Sequence, residues 1–356
     1  MTLTTKEKLR YDRQIRIPEF GLASQEKLKG SAVALVGCGG LGAPILQYLV
    51  AAGVGTIGLI DDDEVSLSNL QRQVIFKQED VGKNKLELAA EYASALNENV
   101  NIRKYSVRLS SENALGIFEP YDLIIDGSDN FPTRYLVNDA CEILGKAFVS
   151  GAIYRFEGQV SLFNHRNGPT YRDLFPSPPS EEMAPNCATA GVIGVVAGIV
   201  GTLMANESIK FLIGLGDNLS GKLLLVDTMG VNFRKISIRA LENRPRITEL
   251  IDYELFCSGV KSGPEEIEYQ DFLILKESFQ LIDVREPEEF ELQNIGGYLI
   301  PLGELESRVN EISREGLVVL HCQSGQRSAR AIRMLQEKFG FENLVNLKGG
   351  LNAARP

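Results

Sequence analysis

"SAVALVGCGGLGAPILQYLVAAGV", residues 31–54, is the stretch on which the fold turns. Its opening is a short apolar run fit for a strand buried on both faces, and "LGAPILQYLVAAGV" continues as an apolar helix. Between them Gly37, Gly39 and Gly42 satisfy G-x-G-x-x-G. Glycine there lets the backbone turn tightly and come close to a phosphate, while the following helix N-terminus attracts the anion. "TIGLIDDD", residues 56–63, is the next strand and ends in acids, with Asp61 placed to hold ribose hydroxyls. Strand, turn, helix and strand in that order open a doubly wound parallel sheet, so an α/β fold is expected. The loop alone fits NAD, FAD or ATP, and a glycine loop used only for packing fits it too.

Outward from this unit, "KNKLELAAEYASAL" (83–96) reads as an amphipathic helix, "VNIRKYSVRL" (100–109) as a strand, and "YDLIIDGSDN" (121–130) as a strand ending in acids. "AFVSGAIYRFEGQVSLFN" (147–164) has the character of antiparallel strands, and "KLLLVDTMGVNFRKISIRA" (222–240) that of a closing hairpin. Residues 241–263 carry Pro, Gly and mixed charge without sustained periodicity and read as a linker with one helical turn. Flexible throughout, such a linker spans about 25 Å root-mean-square. A second α/β pattern follows over 264–356: "FQLIDVREPEEFE", "LVVLHC", "SARAIRMLQEKFG" and "LVNLKGG" alternate strand and helix. The expected organisation is a Rossmann-like domain with a mixed, mainly parallel sheet over 1–240, the linker, and a small second α/β domain.

A length of 356 residues favours two domains. The net charge of -10 argues against a nucleic-acid partner, which needs clustered Lys and Arg. Cys38, Cys141, Cys187, Cys257 and Cys322 are odd in number with no pair at metal-ligand spacing, which points to free thiols in a reducing, cytoplasmic compartment. With only His165 and His321 present, a multi-histidine metal site is excluded; His165, in "FNHRNGP", reads as a surface turn residue. The polar N-terminus lacks a signal-peptide core. "ATAGVIGVVAGIVGTLMA" (188–205) is uncharged, but Glu207 and Lys210 follow at once, and Gly191, Gly194, Gly198 and Gly201 recur at helical spacing. A closely packed buried helix is expected there rather than a membrane span.

Beyond Asp61, "DDDEVSLSNLQRQ" supplies Ser68, Asn69 and Arg72, and Lys85 follows in "VGKNKLE". A dehydrogenase has no use for a pair of cations there, whereas a triphosphate does, since a leaving pyrophosphate develops charge that fixed Arg and Lys stabilise. Asp129, beside Asn130 in "DGSDN", suits Mg²⁺ bridging phosphate oxygens. Together with "RYDRQIRIPEFG" (10–21), these motifs resemble, in order, the adenylating domain of the ubiquitin-activating superfamily over about the first 240 residues. The molybdopterin-synthase and thiazole-biosynthesis adenylyltransferases are the most similar members. The resemblance implies a homodimer that uses ATP and Mg²⁺ to adenylate the C-terminal glycine of a small β-grasp, ubiquitin-like protein ending Gly-Gly. It further implies that Arg13 reaches across the dimer to the phosphates, and that Gly40 and Asp61 cradle the nucleotide. Ser68, Asn69, Arg72, Lys85 and Asn130 contact it, and Asp129 organises Mg²⁺.

The first 240 residues depart from the family at one point. Most relatives hold a structural zinc with two C-x-x-C pairs, the first inside a stretch resembling "TYRDLFP"; here Thr170 and Asp173 stand at those positions and no second pair precedes residue 256. Neither supplies the thiolates such a site prefers, so no zinc site is expected. Cys187, in "PNCATAGVIG", matches the family's crossover-loop cysteine; it stays open between a reactive thiol, lowered by a helix N-terminus, and a small buried hydrophobe. Cys38 and Cys141 read as packing residues.

"HCQSGQRSAR" (321–330) carries the second chemistry. A turn that aims successive amides inward at a helix start favours the thiolate of Cys322; Gly325 permits the turn and Arg327 adds positive charge. With "LIDVREPEEF" upstream and "LVNLKGG" downstream, residues 264–356 resemble a rhodanese sulfurtransferase domain, which implies a Cys322 persulfide. A phosphatase loop is the rival, but it more commonly places five residues between Cys and Arg, and here there are four. Asn294 stands where a His is usual in that family and Ala353 where an aromatic is common. The expectation is a bifunctional enzyme: acyl-adenylate formation first, then sulfur transfer from Cys322, loaded by a donor such as a cysteine desulfurase. An oxidoreductase using the same glycine loop, or an inactive scaffold, is the alternative. The sequence leaves the carrier's pathway open among molybdopterin, thiazole and tRNA thiolation.

Overall fold

Strands covered on both faces read as unbroken apolar runs, and the computed structural model shows why residues 31–60 do so. It describes residues 2–179, 191–241, 244, 246–257, 264–275 and 279–354. β1 (Ala32–Val36) pairs in parallel with β2 (Thr56–Ile60), which pairs with β3 (Asn101–Tyr105); on the other side of β1 lies β4 (Leu123–Asp126), also parallel. β5 (Phe148–Tyr154) continues the parallel half, and β6 (Glu157–Phe163), β7 (Lys222–Asp227) and β8 (Asn232–Ser237) run antiparallel beyond it. The order is β3-β2-β1-β4-β5-β6-β7-β8, the expected mixed, Rossmann-like sheet.

Several helices bear on the site. α1 (Asp12–Ile15) carries Arg13, α2 (Gly42–Ala52) follows the glycine loop, and α3 (Lys85–Leu96) begins with Lys85. α4 (Phe131–Leu144) follows β4, and α5 (Tyr171–Leu174) lies in the region compared with the zinc stretch. α6 (Gly194–Ile213) is long and apolar enough to cross a membrane, yet it packs on α2, β5 and β6 and gives Val196, Val200 and Met204 to the sheet's core. Of the small residues expected to allow close approach, Gly201 does so, since a Cβ there would meet the Leu41 carbonyl oxygen at 2.7 Å. Gly194 abuts the Gln71 carbonyl in the same way, whereas Gly198 faces open space and Gly191 precedes the helix.

The segment expected to be a linker departs from that reading. The first compact unit extends to Tyr253, and the second runs from Glu254. Arg244 donates to Thr170 Oγ1 at 2.7 Å and pairs with Asp173, whose side chain is fully buried, and with Glu142 at 3.4 Å. The Leu241 N–H donates to Asp173 Oδ1 at 3.0 Å. Buried Tyr253 donates to Asp139 Oδ2 at 2.7 Å, and Arg172 grips the same carboxylate at 2.7 and 2.8 Å. Burial and Asp139 push the Tyr253 hydroxyl up. Leu241, Arg244 and Tyr253 are therefore held to the first unit by ionic and hydrogen-bond contacts that leave no apolar periodicity. The one helical turn expected is α7 (Tyr253–Cys257).

The second unit is a parallel sheet in the order β11-β10-β12-β13-β9. Its strands are β9 (Glu266–Ile267), β10 (Phe279–Asp283), β11 (Tyr298–Leu299), β12 (Leu317–His321) and β13 (Leu344–Leu347). α8 (Pro287–Leu292) follows β10, and α9 (Gln326–Phe339) follows the cysteine loop. One face packs Ile282, Leu320 and Leu335; the other packs Leu281, Val319 and Leu347.

Candidate active sites

At the carboxyl edge of β1, Gly37 takes φ +87°, a left-handed backbone that glycine adopts at little cost. A Cβ on Gly42 would overlap the Gly37 carbonyl oxygen, so the helix can approach the turn only without a side chain there. Asp61, one residue past β2, accepts from the Cys38 N–H at 2.7 Å and the Asp63 N–H at 2.9 Å. Burial pushes its carboxyl up, against those donors and Lys85. Lys85 is buried, with its ammonium 2.8 Å from Asp63 Oδ2. Arg72 lays its Cγ and Cδ against Gly40 and donates to the Ser68 carbonyl at 3.0 Å. Asn130 caps α4 by accepting from the Thr133 N–H at 2.9 Å, with Asp129 exposed beside it.

Gly40, Asp61, Arg72, Lys85, Asp129 and Asn130 line one cleft of about 350 Å³, within the range of small-molecule sites. Arg13, Ser68 and Asn69 are not brought to its lining. Arg13 is exposed on α1, Ser68 Oγ lies 3.0 Å from Ser66 Oγ, and Asn69 Oδ1 accepts from the Ser66 N–H at 3.0 Å to close a 3₁₀ turn. Cys187 lies outside the described residues. Asp129 shares the cleft with Asp61, Asp62 and Asp63, a set of hard oxygen donors that suits Mg²⁺. Among the described residues no three His, Cys, Asp or Glu side chains gather to hold a metal unaided. That accords with Mg²⁺ taking one or two carboxylates together with phosphate oxygens and water.

Among the lining residues that escaped the sequence reading are Gln73, Arg108 and Arg134. Gln73 is buried and its Oε1 has no hydrogen-bond partner among the described residues. Arg134 of α4 donates to the Ser128 carbonyl at 3.4 Å. Below it, fully buried Asp126 accepts from Ser128 Oγ at 2.6 Å and Ser150 Oγ at 3.1 Å, and burial pushes its carboxyl up. The available signal was position: Gln73 follows Arg72 directly, and Arg134 lies one helical turn after Asn130.

The thiols divide as expected where described. Cys38 and Cys141 are buried, and burial pushes both well up, the mark of packing residues. His165 sits in a turn whose neighbours Asn164, Arg166 and Asn167 take positive φ, with its ring against Phe211 at 5.2 Å.

In the second unit, Cys322 follows β12 and is fully buried. Gly325, at φ +84°, turns the chain into α9. The Leu351 and Asn352 N–H groups donate to the Cys322 and Gln323 carbonyls, each at 2.9 Å, and fix the loop from outside. Arg327 does not stand as uncompensated charge at the loop, contrary to expectation: Glu289 grips its guanidinium through two bonds of 2.6 Å. That pairing holds the Glu289 carboxyl down at about 2. Arg285, buried, pairs with Asp283 at 2.7 Å and donates to Gln323 Oε1 at 3.2 Å. His321 is buried with no hydrogen bond at either ring nitrogen among the described residues, and burial pushes its imidazole down against the pull of Asp283. Asn294, in place of the usual His, bridges the Phe290 carbonyl and the Gly296 N–H after α8.

Residues 11–246 match the ThiF family and residues 268–355 the rhodanese-like domain. A Mycobacterium tuberculosis protein named "Probable adenylyltransferase/sulfurtransferase MoeZ" is 43% identical, covering 99% of this chain and 93% of its own. The "Sulfur carrier protein adenylyltransferase" of Thermus thermophilus is 52% identical over 71% of this chain and 98% of its own. "Adenylyltransferase and sulfurtransferase MOCS3-1" of Drosophila pseudoobscura pseudoobscura is 41% identical, covering 99% and 84%. Among solved structures, E. coli MccB bound to succinimide shares the fold, with a TM-score of 0.59 at 21% identity over 67% of this chain and 74% of that one. The oxidoreductase alternative falls with these matches. With the cleft inside the residues matched by the first family and the cysteine loop inside those matched by the second, this chain is a member of the ThiF family with a rhodanese domain appended, an adenylyltransferase joined to a sulfurtransferase.

Proposed function

We propose that the protein activates a small β-grasp sulfur-carrier protein ending Gly-Gly and then converts that terminus to a thiocarboxylate. The observation that carries the reading is the convergence of Arg72 and Lys85 with Asp61 and Asp129 on one cleft. There the carrier's carboxylate attacks the α-phosphate of ATP, the bond to the β-phosphate breaks, and pyrophosphate leaves with the electron pair. Lys85 and Arg72 stabilise the charge that develops, and Asp61 orients the ribose and the glycine loop. Mg²⁺, held by Asp129, supplies charge neutralisation at the phosphates when bound. Arg13, exposed on its own chain, reaches the phosphates of a second copy in a homodimer.

The second reaction uses Cys322. Its thiolate attacks the terminal sulfur of a donor persulfide, such as that of a cysteine desulfurase, and the donor leaves as a thiolate. The Cys322 persulfide then attacks the acyl carbon and expels AMP. A second thiol, Cys187 or an external reductant, cleaves the resulting S–S bond to leave a thiocarboxylate and a disulfide. Among the described residues, free thiols at Cys38, Cys141 and Cys322 support a cytoplasmic site of action.

The test is carrier-dependent exchange of labelled pyrophosphate into ATP. Asp129→Ala abolishes it while the protein stays folded. A parent enzyme that exchanges no label with any Gly-Gly carrier overturns the reading.

A further inference from the structure

Cys322 has a buried hydroxyl neighbour that its chemistry has not yet used. Ser328, in the first turn of α9 and fully buried, places Oγ 3.6 Å from Cys322 Sγ. The same oxygen lies 2.7 Å from Asn346 Oδ1 and 3.2 Å from the Gly325 carbonyl. Asn346, on β13, is also buried, and its Nδ2 donates to Glu266 Oε1 at 3.1 Å. An ionised carboxylate only accepts, so Glu266 fixes the amide with its oxygen toward Ser328. Ser328 thus faces three acceptors with one proton, and the shortest distance is to Asn346.

We propose that Ser328 is a positioning residue for Cys322, its proton resting on Asn346 Oδ1 while the sulfur is a thiol and turning to the sulfur when it becomes a thiolate. The thiol proton leaves to solvent base; only a rotation about the Ser328 Cβ–Oγ bond is needed inside. Asn346 is then a competitor that holds the donor back, and Glu266 is what keeps it competing. Two charged groups near the loop are already matched. Arg327 is paired with Glu289, and Arg285 with Asp283. His321 projects from β12 to the face of Val319, opposite that of Cys322. The inference rests on Cys322 as the sulfur-carrying nucleophile.

The test follows iodoacetamide alkylation of Cys322 in the full chain against pH, with the site assigned by peptide mass spectrometry. Ser328→Ala moves the midpoint up by about one pH unit, the scale of one hydrogen bond to a charged group. Ser328→Thr keeps it near the parent value. Asn346→Ala moves it down, because the proton is released to the sulfur. An unmoved midpoint in Ser328→Ala, or shifts of the same sign in Ser328→Ala and Asn346→Ala, overturns the proposal. Persulfide formation on Cys322 is measured separately, by its mass gain with a cysteine desulfurase and cysteine. Sulfur uptake with unmoved midpoints sinks the Ser328 role alone; opposed shifts without sulfur uptake sink the sulfur-transfer reading and leave the Ser328 coupling standing.

Discussion

Gly42 has no room for a side chain, because a Cβ would collide with the Gly37 carbonyl on which the phosphate turn depends. Gly42→Ala is expected to cut ATP-dependent exchange by about a hundredfold, the result of misplacing reacting groups by an ångström, with thermal melting as the check on folding. Glu289 makes a pH prediction. Its carboxyl is held at about 2 by Arg327, below its unfolded value. The pair therefore contributes stability that is full above the unfolded pKa and is lost as pH falls through about 2. Urea midpoints of the parent and of Glu289→Gln differ near neutrality and converge as pH drops through that window; a gap that persists in acid refutes the pairing. At this scale the sequence pointed to Asp61 and Asp129 because they stand just past β2 and β4, and to Arg72 and Lys85 because they add two cations in the segment from β2 to the first residue of α3; all four line the cleft. Ser68 and Asn69 stand outside the cleft's lining and take part in turn contacts, as small polar side chains readily do.

Strands and helices with strong apolar runs, such as β1, β4 and α6, were legible because burial on both faces leaves a plain signature. The tail over 241–253 was not. Its hold on the first unit comes from Arg244, Leu241 and Tyr253 meeting Asp173, Glu142 and Asp139, pairings far apart in sequence with no periodic mark. Arg244 thus ties the tail to Thr170, Asp173 and Glu142 in one place. Arg244→Ala leaves Asp173 buried without its cation and is expected to cost the first unit about 2 kcal/mol, several degrees of melting temperature. Chelators leave the parent's melting temperature unchanged, and elemental analysis finds negligible zinc. One tightly bound zinc per chain refutes the reading.

Each unit owns a complete sheet and core, and the Thermus thermophilus relative, aligned over 98% of its length, covers 71% of this chain. Residues 1–253 alone are therefore expected to support carrier-dependent pyrophosphate exchange and no sulfur transfer. Cys322→Ala in the whole chain has the same phenotype, and loss of exchange in either contradicts the division of labour. The order of elements along the chain also bears on how the protein is made. While the ribosome extrudes it, α6 is an uncovered greasy rod that targeting machinery could take for an anchor. The partners it packs on, α2, β5 and β6, all emerge ahead of it. Their prior appearance gives the rod a berth at the tunnel mouth, and a circular permutant that synthesised α6 first would send nascent chains toward the membrane.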